Sequence, residues 1–493
     1  PMPTDTMTPG LSDAPVAPDH SARNRVVILL LLVSTFTMIL NETIMSVALP
    51  RLMSDLGVTA NAAQWLTTAF LLTMAVVIPV TGFPLQRFHT RTVFIAALSF
   101  FSFGTLLCAI APGLPPLVLG RVVQACGTAM MMPLLMTTVM NLVPPDSRGK
   151  TMGNISIVIS VAPAIGPTLS GIILNLLGWR WMFWLILPIG LICLAAGLAW
   201  LKNVTEPRKV PLDILSVPLA AIGFGGLVYG LSTIGEGHGE EGGMPLWLPL
   251  AVGGAVLIAF ILRQIALGPQ ERALLDLRTF RHKIFTVAVV MMGLAMMALF
   301  GMIILLPLYM QNVLGMEPVQ AGLMLLPGGL LMGLLAPVVG RLFDAHGARK
   351  LVIPGSVAVA VALWLMTTFT PETGIAMVLA SHITLSAGLA FLFTPLFTSS
   401  LGSLPPQLYS HGSALIGTIQ QVAGAAGIAL FVSVMSVRSA AGIAAGLDEA
   451  HALSQGLQAG FMCGAIASLG MIAASFFVRR PPDMQDGGAP MGH

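Results

Sequence analysis

Apolar runs of roughly 20 residues recur along this chain from Val26 to Val478, separated by short stretches rich in Gly, Pro and charge. A run of that length crosses the hydrocarbon of a bilayer as an α-helix, the one single-segment structure that satisfies its own backbone N–H and C=O groups there. Composition agrees: 56% of residues are hydrophobic, 9% are charged and the mean hydropathy is +0.90. Soluble domains carry about 25% charged residues. The pattern predicts an all-α integral membrane protein and excludes a soluble multi-domain one.

Reading the runs against their breaks gives fourteen spans, at 26–49, 62–82, 92–111, 115–141, 152–176, 181–201, 212–234, 246–266, 284–312, 319–340, 351–369, 374–401, 412–437 and 456–478. Lys and Arg concentrate in cytoplasmic loops. With the N-terminus inside, 19 of the 23 basic residues fall in inside segments or, for Arg263, at the inner end of a span; Arg51, Arg180 and Arg438 lie outside, and Arg121 alone sits deep within a span. Removing one span would invert every later loop and destroy this asymmetry. Both termini are therefore expected in the cytoplasm, and the protein in the inner membrane with lipid as its solvent. The acidic stretch GEGHGEEGG, residues 235–243, lacks Lys and Arg as an outer loop should. Topology accounts for the basic residues, so the net charge of +3 implies no nucleic-acid partner.

The segments 1–25 and 479–493 are polar, rich in Pro, Asp or Gly, and read as disordered tails; the first span is too long for a cleaved signal. Cys108, Cys126, Cys193 and Cys463 fall inside apolar runs without metal-ligand spacing and read as packing residues. The nine histidines are dispersed, no metal site is expected, and no nucleophile, base and orienter set assembles into an enzyme. PPDSRGKT, residues 144–151, ends like a phosphate loop, but Pro144 stands where the first Gly is required. No cofactor is expected.

Two short turns repeat. GFPLQRFHTR, residues 82–91, follows the second span and GRLFDAHGARK, residues 340–350, the tenth. Their separation of 258 residues suits eight spans, not six. The simplest division is an N-terminal six-helix bundle at 26–201, an inserted helix pair with linkers at 202–283, and a C-terminal six-helix bundle at 284–478. Parallel half-repeats with a ligand at their interface are a recurrent transporter construction.

The turn with Gly340, Leu342, Asp344, Gly347, Arg349 and Lys350 resembles the loop motif of the major facilitator superfamily. LNETIMSVALP in the first span, LGRVVQACGTA at 119–129, APAIGPTLSG at 162–171 and GWRWMFWLILPIG at 178–190 are similar to motifs of its fourteen-span drug:proton antiporter branch. The likeness covers essentially the whole chain. It implies two six-helix bundles with an inserted pair, and a proton-coupled exporter of amphipathic, drug-like or cationic compounds powered by the proton gradient. Export of an endogenous lipid or natural product on the same fold is the alternative, and a membrane transferase or sensor a more distant one. A periplasmic accessory protein is left open. The chain departs from the pattern at Gln86, His89 and Thr90 in the first turn, and at Asn41, where the branch carries Asp and this chain places its carboxylate one position on, at Glu42.

Glu42 is the one acidic residue far from both ends of its predicted span. A charge at bilayer depth costs about 2.5–3.5 kcal/mol on insertion scales, which marks it as functional and in need of a partner. Arg121 lies at matching depth in the fourth span. The two read either as a static ion pair or as the proton-coupling pair, since burial and a nearby cation act oppositely on a carboxylate and a conformational change can alter its proton occupancy. Gln124 and Thr128, three and seven residues past Arg121, continue the polar face. Asn41, Gln124, Thr128, Met132, Met296, Phe300, Tyr309, Gln311, His382 and Gln420 are the candidates for binding substrate. The methionine clusters at 129–140 and 291–302 suit either an adaptable ligand surface or plain packing. Gating is expected of Arg87, Arg341, Asp344 and Arg349 and, from the resemblance, of Gly166 and Pro167. Small residues at Gly153, Ser156, Ser160, Ala164 and Gly171 form a seam for close helix approach, and Pro163 with Pro167 favours a bend.

Overall fold

The computed structural model describes residues 20–58, 60–235 and 244–478, and every regular element among them is helical. Both predicted tails beyond these limits, and most of the acidic loop, lie outside the described residues. Fourteen long helices follow one another: α1 Ser21–Leu56, α2 Ala60–Val77, α3 Thr90–Ile110, α4 Leu114–Leu142, α5 Arg148–Leu176, α6 Arg180–Trp200, α7 Ser216–Gly235, α8 Trp247–Leu267, α9 Lys283–Leu308, α10 Pro318–His346, α11 Arg349–Met366, α12 Ile375–Gly402, α13 Tyr409–Ala444 and α14 Glu449–Ser475. Thirteen are long and apolar enough to cross a membrane, and α2 contributes the shorter apolar stretch Trp65–Val80. The protein is thus a multi-pass, all-helical membrane protein.

Boundaries move where the chain had no strong break. α1 begins at Ser21, inside the expected tail, and continues past Pro50 to Leu56, where Gly57 closes it in the left-handed conformation at φ 65°. The apolar-run criterion underestimates such helices because their ends leave the hydrocarbon and become polar. α5 is one helix through Pro163, and α9 ends in a π-helical turn, Tyr309–Val313, just after Pro307. α10 opens on a capping box between Glu317 and Gln320 with Pro318 at its first position, and ends at Gly347 with φ 84°, which a side chain would resist.

Packing repeats with an offset of eight helices. α1 contacts α4, α5 and α6, as α9 contacts α12, α13 and α14; α2 packs on α4 as α10 does on α12; α3 packs on α4 and α6 as α11 does on α12 and α14. α7 and α8 pack on each other, and α7 also stands against α2 and α13. The most extensive contact between the two sets is α5 with α10. It is closest at the end bearing the basic loops, where Gly340 lies against the Gly149 carbonyl and a Cβ on Gly153 would come within 2.5 Å of the Ala336 carbonyl oxygen. Contact continues to Gly329, 3.6 Å from Ala164 in the same measure, and is gone at Gly171 and Gly322, where an added Cβ would meet nothing within 4 Å. The two helices part toward the opposite end.

Candidate functional site

The 3.6-residue period of α4 puts Arg121, Gln124 and Thr128 on one face, turned inward onto α1, α2 and α3. Arg121 is fully buried. Its Nη1 donates to Gln124 Oε1 at 3.1 Å, its Nε to the Leu66 carbonyl at 3.4 Å, and its guanidinium carbon stands 4.2 Å from the Phe70 ring centre. Gln124 Nε2 donates to Thr105 Oγ1 at 2.8 Å, while Asn41 Nδ2 reaches Gln124 Oε1 at 3.3 Å. The reciprocal bond, Gln124 Nε2 to Asn41 Oδ1, measures 3.5 Å. Thr128 donates to the Gln124 carbonyl at 3.0 Å, so its hydroxyl is satisfied within α4. The Gln124 amide thereby ties α1, α3 and α4 around a buried guanidinium, which itself reaches α2 through the Leu66 carbonyl. Arg121 Nη2 remains a buried donor with no partner.

Glu42 is placed apart from this network. One residue past Asn41, its Cα is turned about 100° around α1, and the side chain is half-buried. No Glu42–Arg121 ion pair forms within the 4.0 Å limit among the described residues, although the field of Arg121 reaches the carboxylate. The direct pair inferred from matched depth is corrected by helix phase: equal depth brings two residues to one layer, and the angle decides which of them touch. Asn41, not Glu42, takes the position facing Gln124. Glu42 is flanked by the α5 contact, because Gly166 admits the Thr43 side chain and Ser170 Oγ donates to the Ile44 carbonyl at 2.8 Å. Gly166 therefore lies beside the residue that follows Glu42; Pro167 follows in the same helix.

The remaining candidates disperse. Met132 and Met296 are half-buried against the core, and most other methionines of the two clusters are fully buried. Phe300 packs over Gly424, 3.1 Å from a Cβ built there. Tyr309 is removed from any cavity: it is fully buried, stacked on Phe369 at 5.0 Å, with its hydroxyl donating to the Thr370 carbonyl at 2.6 Å. His382 Nε2 lies 3.2 Å from the Leu325 carbonyl of α10, and its Nδ1 is buried without a partner. Gln311 and Gln420 are half-buried on α9's terminal turn and on α13.

At the basic-loop end the gate candidates are reassigned. Asp344 accepts from the backbone N–H of Gly149 at 2.9 Å and of Lys150 at 2.8 Å, in the first turn of α5. An anion at a helix N-terminus meets unpaired N–H groups and the positive end of the dipole. Arg341 and Arg349 are exposed and form no ion pair among the described residues, so the partner of Asp344 is a helix end, not an arginine. Arg87 stands over its neighbour Phe88, 5.8 Å from the ring centre, and it is Gln86 that crosses to the other set of helices, donating to the Gln407 carbonyl at 3.3 Å. Sequence reading missed three further crossings: Arg148 Nη2 to Tyr409 Oη at 3.1 Å, Thr137 to Ser413 at 3.1 Å and Ser156 to Thr394 at 2.9 Å. Single hydroxyls in apolar helices carry no signal that separates a crossing partner from a backbone-bonded one.

A sequence model described as Major Facilitator Superfamily matches residues 31–428. The chain belongs to the major facilitator superfamily. Lincomycin resistance protein LmrB of Bacillus subtilis (strain 168) is 38% identical over 456 residues, covering 91% of this chain and 95% of that protein. The probable multidrug resistance protein EmrY of Escherichia coli (strain K12) is 28% identical, with 80% of this chain and 77% of that one covered. Among solved structures, the human organic anion transporter MFSD10 (TETRAN) superposes with a TM-score of 0.66 at 15% identity, over 92% of this chain and 99% of that one. The proton:xylose symporter XylE gives 0.62 at 17% identity, over 94% and 97%. These two likenesses speak for the superfamily fold.

Proposed function

We propose that this chain is a proton-coupled exporter that takes amphipathic, drug-like compounds from the cytoplasm or inner leaflet and releases them outside by alternating access. The observation that carries the reading is Glu42, a half-buried carboxylate midway along a membrane helix, without an ion pair or hydrogen bond among the described residues, one step from a network ending in Arg121. An unpaired acid at that depth is stable when protonated and reactive toward water, substrate cation or Arg121 when not. Arg121, with one N–H pair unspent, is suited to receive a carboxylate when α1 turns. Relatives bearing lincomycin and multidrug resistance names support drug-like cargo. The basic loops support a cytoplasmic placement of both termini in the inner membrane, which makes the tight Gly149–Gly340 end the cytoplasmic gate, with Asp344 on the α5 terminus as its catch.

The test is transport in proteoliposomes with an imposed pH gradient and a panel of dyes and lincomycin. Glu42→Gln is expected to abolish pH-driven transport while the protein elutes and melts like the parent. Undiminished pH-driven transport by that variant overturns the assignment.

A further inference from the structure

The eight-helix offset leaves α7, α8 and their linkers outside the repeat, and the structure gives this insert a specific grip. α7 stands between α2 and α13, with Gly225 close enough to α2 that a Cβ would lie 3.0 Å from Val76. At the basic-loop end a chain of bonds runs from the insert into the bundles. Arg263 holds Asp213 through two bonds of 2.7 and 2.8 Å, and Asp213 also accepts from Ser216. Gln264 Nε2 donates to Ser216 Oγ at 2.7 Å, and its Oε1 accepts from the Leu275 N–H at 3.2 Å. The next residue, Asp276, donates its backbone N–H to Nδ1 of His411 at 3.1 Å. Ala273, Leu274 and Leu275 are buried, so the loop is seated in the protein.

His411 opens α13 on the C-terminal side, and Gly82 follows α2 on the N-terminal side. A Cβ on Gly82 would stand 3.3 Å from His411 Nδ1 and 3.4 Å from the Leu274 carbonyl oxygen. Three parts of the chain thus meet around one imidazole: the turn after α2, the α8–α9 loop and the start of α13. The linker before α7 adds a second stitch, since the Arg208 N–H donates to the Gln86 carbonyl at 2.9 Å and the Gln86 side chain to the Gln407 carbonyl at 3.3 Å. If the basic-loop end is to open, α2 and α13 must separate, and this junction must come apart first.

We infer that the inserted helix pair is a strap that holds the cytoplasmic end shut, with His411 as the pin through which it acts. The inference rests on the alternating-access reading above. His411 is a positioning residue: it touches no substrate, and it fixes the loop that bridges α2 and α13.

The experiment is a double electron–electron resonance distance measurement on full-length protein in nanodiscs, with spin labels at Asp146→Cys and Gln407→Cys, both exposed on opposite sides of the closure. The parent is expected to show a major short distance and a minor long one. His411→Ala should raise the long-distance fraction at least threefold, and His411→Asn, whose Oδ1 can accept in place of Nδ1, should return it to the parent value. Gln264→Leu, which cuts the chain at the insert and touches neither α2 nor α13, should raise it in the same direction and keeps the test alive if the alanine variant does not fold. Distributions unchanged in folded His411→Ala or in Gln264→Leu overturn the strap. A parent with a single distance at every pH and with every substrate overturns alternating access itself, and the strap with it.

Discussion

Gln124 is the residue on which the buried network depends. Its two ends hold Arg121, Asn41 and Thr105 at once, so Gln124→Leu, similar in volume, leaves a buried guanidinium N–H and an amide without these partners, while the Thr105 hydroxyl keeps its bond to the Phe101 carbonyl. Leaving one such group unsatisfied costs about 1–3 kcal/mol, and we expect a loss of stability of at least that order, read as a lower melting temperature in detergent. Gln124→Glu, by contrast, sets a carboxylate on Arg121 and should remain folded while losing pH-driven transport. Equal transport by Gln124→Glu and parent would show that Arg121 need not be free for Glu42. The sequence is legible here in residue types and not in pairs: Arg121, Gln124 and Thr128 fall on one face by spacing alone, whereas the choice of Asn41 over Glu42 as the contact comes from the rotation of α1.

Between elements, the α5–α10 seam is built from residues too small to keep backbones apart, and Asp344 closes it electrostatically. Interactions of a carboxylate with a helix N-terminus are worth about 0.3–2 kcal/mol. Asp344→Asn should therefore loosen the closure by about two-fold to about thirty-fold, measured as faster maleimide labelling of Thr137→Cys, a buried position where α4 meets α13. No change in labelling rate would remove Asp344 from the gate. The insert has its own pH dependence. The Arg263 hydrogen bonds hold Asp213, just before α7 begins, below the ordinary carboxylate value of 3.8. Burial pushes Asp276 up, but the Arg278 side chain and N–H bring it below the same value. A depressed acid contributes its stabilisation above its unfolded value and loses it as pH falls through the folded one. Faster hydrogen exchange in residues 264–276 is thus expected only below about pH 4, and loosening already at pH 6 would contradict it.

For the whole molecule, the arrangement closed at the basic-loop end depends on Gly340 and Gly149 meeting backbone to backbone. A methyl group at Gly340 cannot be absorbed by a rotamer change, because what it meets is the Gly149 carbonyl. Gly340→Ala should shift the population toward the other arrangement, seen as protection of outer-side cysteines and exposure of inner-side ones to an impermeant reagent. Parent-like labelling on both sides would mean the seam does not set the resting state.

The sequence by itself determined the solvent, the helical class and the fourteen-fold succession of spans, because hydrocarbon permits so few backbone solutions that apolar run length is decisive. It also made the offset of eight helices visible through two turns, and the superfamily through motifs in order. Tertiary structure alone decided who touches whom. Helix phase set Asn41 rather than Glu42 against Gln124, a helix end rather than an arginine against Asp344, and Tyr309 in the core. Crossing partners such as Thr137 with Ser413 and Asp276 with His411 are separated by more than a hundred residues, and no local pattern encodes such a meeting. The depth of Glu42 and of Arg121 is readable from sequence and their contact is not, because depth is a count along one helix and contact needs the rotation of two.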